Sequence, residues 1–324
     1  MTRENLKNKF LLGVLALGLL APSWVQAITF DSIVVFGGSV SDSGNAFVLT
    51  GISNRPPYDR LDFLLIPDGP YSKGGNHFSN GATWIELYAK PRGLARSVLP
   101  AFRGSSPHAT NYAVGGARST DVAGTFDMPE QVGAFLSEHG NVASPDALYV
   151  IDFGGNDVRD ALALLAMGDV AGAQQIIQGA LASIAFHVNL LYAAGARLFL
   201  FVNVANIGSL PSIRILDSML PQNVLAAATV LTIEFNIGLD IIINVLSLAP
   251  GAEVALLDVF QTVEALIADP QAFGLSNVTN ACITPNVPPF TCKKENEYLF
   301  WDGIHPTKAV QAIFAQEAAD VLGQ

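Results

Sequence analysis

Residues 29–45 read Thr29-Phe-Asp-Ser-Ile-Val-Val-Phe-Gly-Gly-Ser-Val-Ser-Asp-Ser-Gly-Asn45. Thr29–Phe36 is β-branched and apolar, as a strand buried on both faces must be, and Gly37-Gly38 ends it. Ser39 follows that turn directly. Further along, Ala147–Phe153 repeats the pattern and ends in Gly154-Gly155, and Arg197–Val204 and Glu253–Asp258 are shorter runs of the same kind. Between them lie apolar stretches of helical length, Val158–Ala194 with a break near Gly168-Asp169, and Gln222–Leu248. Thr307–Leu322 reads as a helix that starts after Pro306. Alternating strands and helices imply right-handed crossovers and a parallel sheet covered by helices, an α/β fold. No linker, repeat or shift in composition divides residues 28–324, which makes one domain the simplest organisation. Gly51–Trp84 interrupts the pattern, being rich in Pro, Gly, Asp and Asn with little periodicity. A loop of this length is either functional or a surface excursion, and both readings stand at this point.

Composition narrows the functions available. The chain has 324 residues, 50% of them hydrophobic and 14% charged, with a formal net charge of −11. That much apolar surface excludes disorder. An acidic chain without a basic patch is a poor partner for nucleic acid. Residues 1–27 carry Arg3, Lys7 and Lys9, then an apolar run from Phe10 to Ala21, then Val25-Gln-Ala27. This is the layout of a signal peptide cut after Ala27, with an uncleaved anchor as the alternative. Cleavage removes three basic residues and one acidic residue and leaves 14 Lys+Arg against 27 Asp+Glu, a net charge of −13. Beyond residue 27 no uncharged apolar stretch is expected to be both long enough and clean enough for a membrane span. The expected location is the periplasm or the outside of the cell.

Two cysteines are present, Cys282 and Cys292, separated by a proline-rich loop. In an oxidising compartment neighbouring thiols pair, so a structural disulfide is expected in preference to two buried thiols. No Cys-x-x-Cys or clustered histidine supports a metal site, and His77, His108, His139 and His187 show no ligand spacing.

In open α/β sheets, ligands bind beyond the carboxyl ends of the strands. Two glycine-rich turns occupy such ends, Phe36–Asn45 and Phe153-Gly-Gly-Asn-Asp157, and two further segments are Asn111-Tyr-Ala-Val-Gly-Gly-Ala-Arg-Ser119 and Trp301-Asp-Gly-Ile-His-Pro-Thr307. Each alone is a common turn. Together they offer a nucleophile, donors for an oxyanion and an acid–base pair.

In order and spacing these four segments resemble the blocks of the GDSL, or SGNH, serine hydrolases and lipases, in their secreted bacterial form. His77-Phe-Ser-Asn-Gly81 and Phe273-Gly-Leu-Ser-Asn-Val-Thr279 add to the likeness, which runs across essentially all of residues 28–324. The resemblance implies a three-layer α/β/α sandwich around a central parallel five-stranded sheet, the flavodoxin-like SGNH fold. It implies Ser39 as nucleophile, His305 as general base and Asp302 as the carboxylate that orients it. Ser41 and Ser43 read better as turn or capping hydroxyls, and Asp42 and Asn45 as caps and loop ties. For the oxyanion hole the resemblance points to the Ser39 and Gly116 N–H groups and the Asn156 side-chain amide, with Gly115 as the rival of Gly116. No cofactor is called for. One departure stands out: the family's Gly-Asp-Ser-Leu is here Gly37-Gly38-Ser39-Val40, so a carboxylate that ties down the turn is missing and the turn is expected to be less well supported.

The function that follows is a carboxylic-ester hydrolase acting on a small-molecule ester or lipid through an acyl-enzyme. Short-chain or aryl esters, choline esters, lysophospholipids and acetylated sugars are all candidate substrates. The competing readings are an acyl- or glycan-binding protein whose turn has lost activity, and a dinucleotide-binding protein. The latter lacks any Gly-x-Gly-x-x-Gly after a strand.

Overall fold

The computed structural model describes residues 28–324 except Ser105, Ala123 and Gln222, so the expected signal peptide lies outside the described residues. The elements that carry the fold, in chain order, are β1 (Ser32–Gly37), α1 (Asn45–Thr50), α2 (Trp84–Ala89), α3 (Met128–Glu138), β2 (Ala147–Asp152), α4 (Gly155–Ala166), α5 (Val170–Ala194), β3 (Leu198–Val202), α6 (Pro211–Met219), α7 (Val224–Ser247), β4 (Glu253–Leu257), α8 (Val259–Ala268), β5 (Asn277–Ala281), β6 (Tyr298–Phe300) and α9 (Lys308–Val321).

β1 to β4 form a parallel sheet in sequential order, with Val34 beside Tyr149, Tyr149 beside Phe199 and Phe199 beside Val254. β3 is buried throughout, and β1 and β2 are buried except for Ser32 and Asp152 at their ends, as their apolar runs require. β4 lies at an edge and is only partly covered, which corrects its reading as a strand buried on both faces. Right-handed crossovers place α3, α4, α5 and α7 together on one side, and α2 packs with α9 on the other. The result is the three-layer α/β/α sandwich.

The central sheet has four strands rather than five. The fifth position is taken by residues 110–114, which run parallel to the free edge of β1 without forming a full strand. Val35 N–H donates to Thr110 O (2.9 Å), Tyr112 N–H to Val35 O (2.8 Å) and Val114 N–H to Gly37 O (3.0 Å). Counting that segment, the order is the flavodoxin-like one, and the direction of winding reverses at β1. The carboxyl ends of β1 and β2 therefore flank the crevice where such folds bind ligands.

α5 and α7 are both long and apolar enough to cross a membrane by length and composition, which corrects the expectation that no segment after residue 27 is. Here each uses one face to cover the core, through Ile177, Ile184 and Leu191 of α5 and Leu231, Phe235 and Leu239 of α7.

A second, smaller core forms around the two-stranded β5–β6 sheet. Tyr58, Tyr71, Cys282, Ile283 and Trp301 are buried together there, and Cys282 and Cys292 are disulfide-bonded. The bridge closes a 10-residue separation and ties the loop onto the base of the Trp301-Asp302 turn. Loop-closure entropy for a ring of this size is worth about 3 kcal/mol. Replacing both cysteines by serine is expected to lower unfolding free energy by about that amount, read as a shift of the denaturant midpoint. An unchanged midpoint would show that the proline-rich loop is held without the bridge.

Candidate active site

β1 delivers Ser39 to the crevice. Gly37 is a glycine because an added Cβ would lie 2.7 Å from Asp152 O, so the ends of β1 and β2 approach too closely for a side chain. Beyond it the chain turns away from the sheet, and Ser39 is left partly exposed with its hydroxyl 2.8 Å from His305 Nε2. His305 is buried and its other ring nitrogen, Nδ1, lies 2.7 Å from Asp302 Oδ2. Ser39 and His305 are 266 residues apart in sequence, and the fold makes them hydrogen-bond partners.

Asp302 is fully buried, and each of its oxygens has two donors. Oδ1 accepts the backbone N–H groups of Ile304 and His305, both at 2.8 Å. Oδ2 accepts the imidazole and the Tyr71 hydroxyl, at 2.7 Å each. Tyr71 belongs to the 51–84 loop, which decides between its two readings: the loop is part of the site. Burial and the Asp302 charge push the Tyr71 phenol far above its ordinary value, so it remains a donor. From the same loop, Phe78 packs against the His305 ring with centroids 5.1 Å apart, and Ser79 Oγ donates to Pro306 O (2.9 Å). Sequence reading missed Tyr71, because nothing local marks a tyrosine that pairs across 231 residues.

The paired glycines at 115 and 116 differ sharply in surroundings. Gly115 N–H donates to Asp42 Oδ2 (2.8 Å), and an added Cβ would strike the Phe78 ring at 2.1 Å. Gly116 has φ +88 and open space around it. Among the described residues neither its N–H nor that of Ser39 has a hydrogen-bond partner. Asn156 stands in the first turn of α4 with one amide N–H donated to Ala117 O (2.8 Å), which holds the group beside the Ser39 turn. Its nitrogen is 3.7 Å from where a Cβ on Gly38 would be.

The nucleophile turn is tied from several sides. Gln131 of α3 accepts from Gly37 N–H (2.9 Å) and donates to Gly37 O (3.0 Å), and Gly38 N–H donates to Asp152 O (3.1 Å). Ser41 Oγ donates to Asp152 Oδ2 (2.6 Å) and accepts from the Trp84 indole (2.9 Å). Asp42 accepts four backbone N–H groups, from Gly44, Asn45, Ala46 and Gly115, against the cost of complete burial, which pushes its carboxyl up. Asn45 donates to Asn111 O (2.7 Å) and Ala113 O (2.9 Å). Ser41, Asp42 and Asn45 thus serve as ties. The turn carries these ties with no side chain at position 38.

An apolar cleft runs from Ser39 and His305 inward, lined by Val202, Val204, Val259, Val263, Phe300 and Phe314. Asp121, Asp127 and Glu130 gather elsewhere, near the start of α3, but Asp127 accepts the N–H groups of Arg118 and Val122, and Glu130 accepts that of Asp127. They cap the helix and its preceding turn.

Residues 33–318 match the family model described as GDSL-like Lipase/Acylhydrolase. Curated relatives include two Arabidopsis thaliana proteins. GDSL esterase/lipase At1g73610 is 28% identical over 321 residues, covering 86% of each chain. GDSL esterase/lipase At4g26790 is 27% identical over 345 residues, covering 93% of this chain and 95% of its own.

Asp152, at the end of β2, gives a test of the site's electrostatics. Burial raises its carboxyl from 3.8 to about 6, with the Ser41 hydrogen bond opposing. The native state therefore holds a proton that the unfolded chain releases, and stability falls as pH rises from about 4 to about 6. Asp152→Asn removes this penalty. Relative to wild type it is expected to gain up to about 3 kcal/mol at neutral pH and little below pH ~4, measured by denaturant titration. An equal effect at both pH values would refute the account.

Proposed function

The chain belongs to the GDSL-like lipase/acylhydrolase family and is a carboxylic-ester hydrolase; from that premise we propose that it is an exported enzyme working through a Ser39–His305–Asp302 triad and an acyl-Ser39 intermediate. The observation that carries this reading is the unbroken line of hydrogen bonds from Ser39 Oγ through His305 to Asp302 Oδ2.

Ser39 Oγ attacks the ester carbonyl carbon while His305 Nε2 takes its proton. Asp302 accepts from Nδ1 throughout, which fixes the tautomer and stabilises the imidazolium that forms. The tetrahedral oxyanion is received by the free N–H groups of Ser39 and Gly116 and by the second amide N–H of Asn156. Gly115 is unsuited to this role because Asp42 already holds its N–H. Collapse breaks the bond to the alcohol, which leaves with the proton from His305. Water, activated by the same imidazole, then releases the acid and restores Ser39. The apolar cleft is the place for the acyl chain.

Export is supported by the signal-like residues 1–27 and by the disulfide, which is at home in an oxidising compartment. One domain over residues 28–324 is supported by a site that draws on both ends of that span. A binding-only role is disfavoured by the alignment of all three triad groups beside unoccupied N–H donors.

Ser39→Ala is expected to lower kcat on p-nitrophenyl butyrate by at least about a thousandfold and to abolish labelling by a fluorophosphonate. Retained hydrolysis in that variant would defeat the assignment. Tyr71→Phe tests the support of Asp302: kcat should drop about tenfold with KM little changed, the loss of one charge-assisted hydrogen bond felt only through the imidazole. Wild-type kcat in this variant would mean that Tyr71 is only packing.

A further inference from the structure

Arg159 lies one turn along α4 from Asn156 and lines the same cleft as Ser39 and His305. Its guanidinium has five donors, yet one side-chain hydrogen bond is formed, from Nη1 to Asn156 Oδ1 at 3.3 Å. Among the described residues no carboxylate pairs with it. The acids that face it are all engaged elsewhere. Asp160 is held by Arg118 Nε (2.8 Å) and Nη2 (3.2 Å). Asp62 accepts the N–H groups of Leu64 and Ile66, and Asp302 has its four donors. Arg118 adds a second positive charge nearby.

A partly buried arginine without a counter-ion is costly, and burial accordingly pulls this guanidinium below arginine's ordinary value. Structural arginines avoid that cost by pairing, as Arg118 does. Beyond the reacting groups, the other polar side chains lining the cleft are already engaged, Asp152 accepting from Ser41, Asn203 donating to Asp258 and Asn206 donating to Glu264, so the free donors of Arg159 are the cationic ones left to a ligand.

We propose that Arg159 is a specificity residue that binds an anionic group of the substrate, a carboxylate or phosphate carried close to the scissile ester. This rests on the hydrolase reading above and refines it, because it removes choline esters from the candidate substrates. The chain is acidic overall, but Arg159, which lines the cleft, has no carboxylate paired with it among the described residues. The hydrocarbon part of the substrate fills the apolar slot while the fork of Arg159 receives two oxygens of the anion.

The test uses two matched pairs on the full exported chain. The mono-p-nitrophenyl ester of glutaric acid against p-nitrophenyl valerate places a carboxylate on the acyl side. Lysophosphatidate against the corresponding monoacylglycerol places a phosphate on the alcohol side. In at least one pair kcat/KM should favour the anion by about ten- to a hundredfold, the range of a charge-assisted hydrogen bond, and the pair that does so identifies the source. Arg159→Gln should reduce that ratio to about one, while Arg159→Lys keeps part of it as a point charge. The preference should also weaken with added salt. Equal rates within both pairs, or a ratio unchanged in Arg159→Gln, would overturn the proposal. Fluorophosphonate labelling of Ser39 reports that each variant retains its site. No turnover of the four esters by wild type together with no fluorophosphonate labelling of Ser39 overturns the Ser39 acyl-enzyme reading instead, and this inference with it.

Discussion

The carboxylate of Asp302 accepts four hydrogen bonds in a place that water does not reach, and most of the structure around the site exists to make that possible. A buried carboxylate without partners would take up a proton or unfold its surroundings, since desolvating an ion costs several kcal/mol even after relaxation. Two of its donors come from the backbone of its own turn, so the Asp-x-x-His spacing supplies them locally. The other two need the fold. His305 is one, and Tyr71 is brought by a loop that would otherwise have no reason to lie here. The small core of Tyr58, Tyr71, Trp301 and the disulfide seals the far side of the carboxylate and keeps the Tyr71 hydroxyl aimed at it.

The same logic explains what could be read in advance. β1, β2 and β3 are unbroken apolar runs because both faces are covered, and α5 and α7 are long because they cover them; pattern follows directly from burial. The glycine-rich turns mark the ends of β1 and β2, and the resemblance to the GDSL hydrolases is what singled out Ser39, Asn156 and the Asp302–His305 turn among them. Residues 110–114 were not legible as sheet, because they lie along one strand only and their sequence must also form the glycine turn at 115–116. Gln131, Asp152 and Tyr71 were invisible for another reason. Each acts on a partner at least a hundred residues away, or nearly so, and a single polar residue carries no periodicity by which to find it. The choice between Gly115 and Gly116 likewise depends on where Asp42 places its carboxylate.

Gly38 brings these threads together. Its backbone does not occupy the left-handed region, so glycine is not demanded by conformation, and a side chain has room there. Keeping glycine costs roughly 0.5–1 kcal/mol of unfolded-chain entropy. That is less than the combined hydrogen bonds from Gln131, Asp152, Ser41 and Trp84, each typically worth about 0.5–1.5 kcal/mol, that hold the turn from outside it. A side chain at position 38 would begin 3.7 Å from Asn156 Nδ2. With glycine there, Asn156 has one N–H fixed on Ala117 O and one free, and its carbonyl is polarised by Arg159. Support of the turn therefore comes from α3 and β2, and no side chain at position 38 crowds the amide of Asn156.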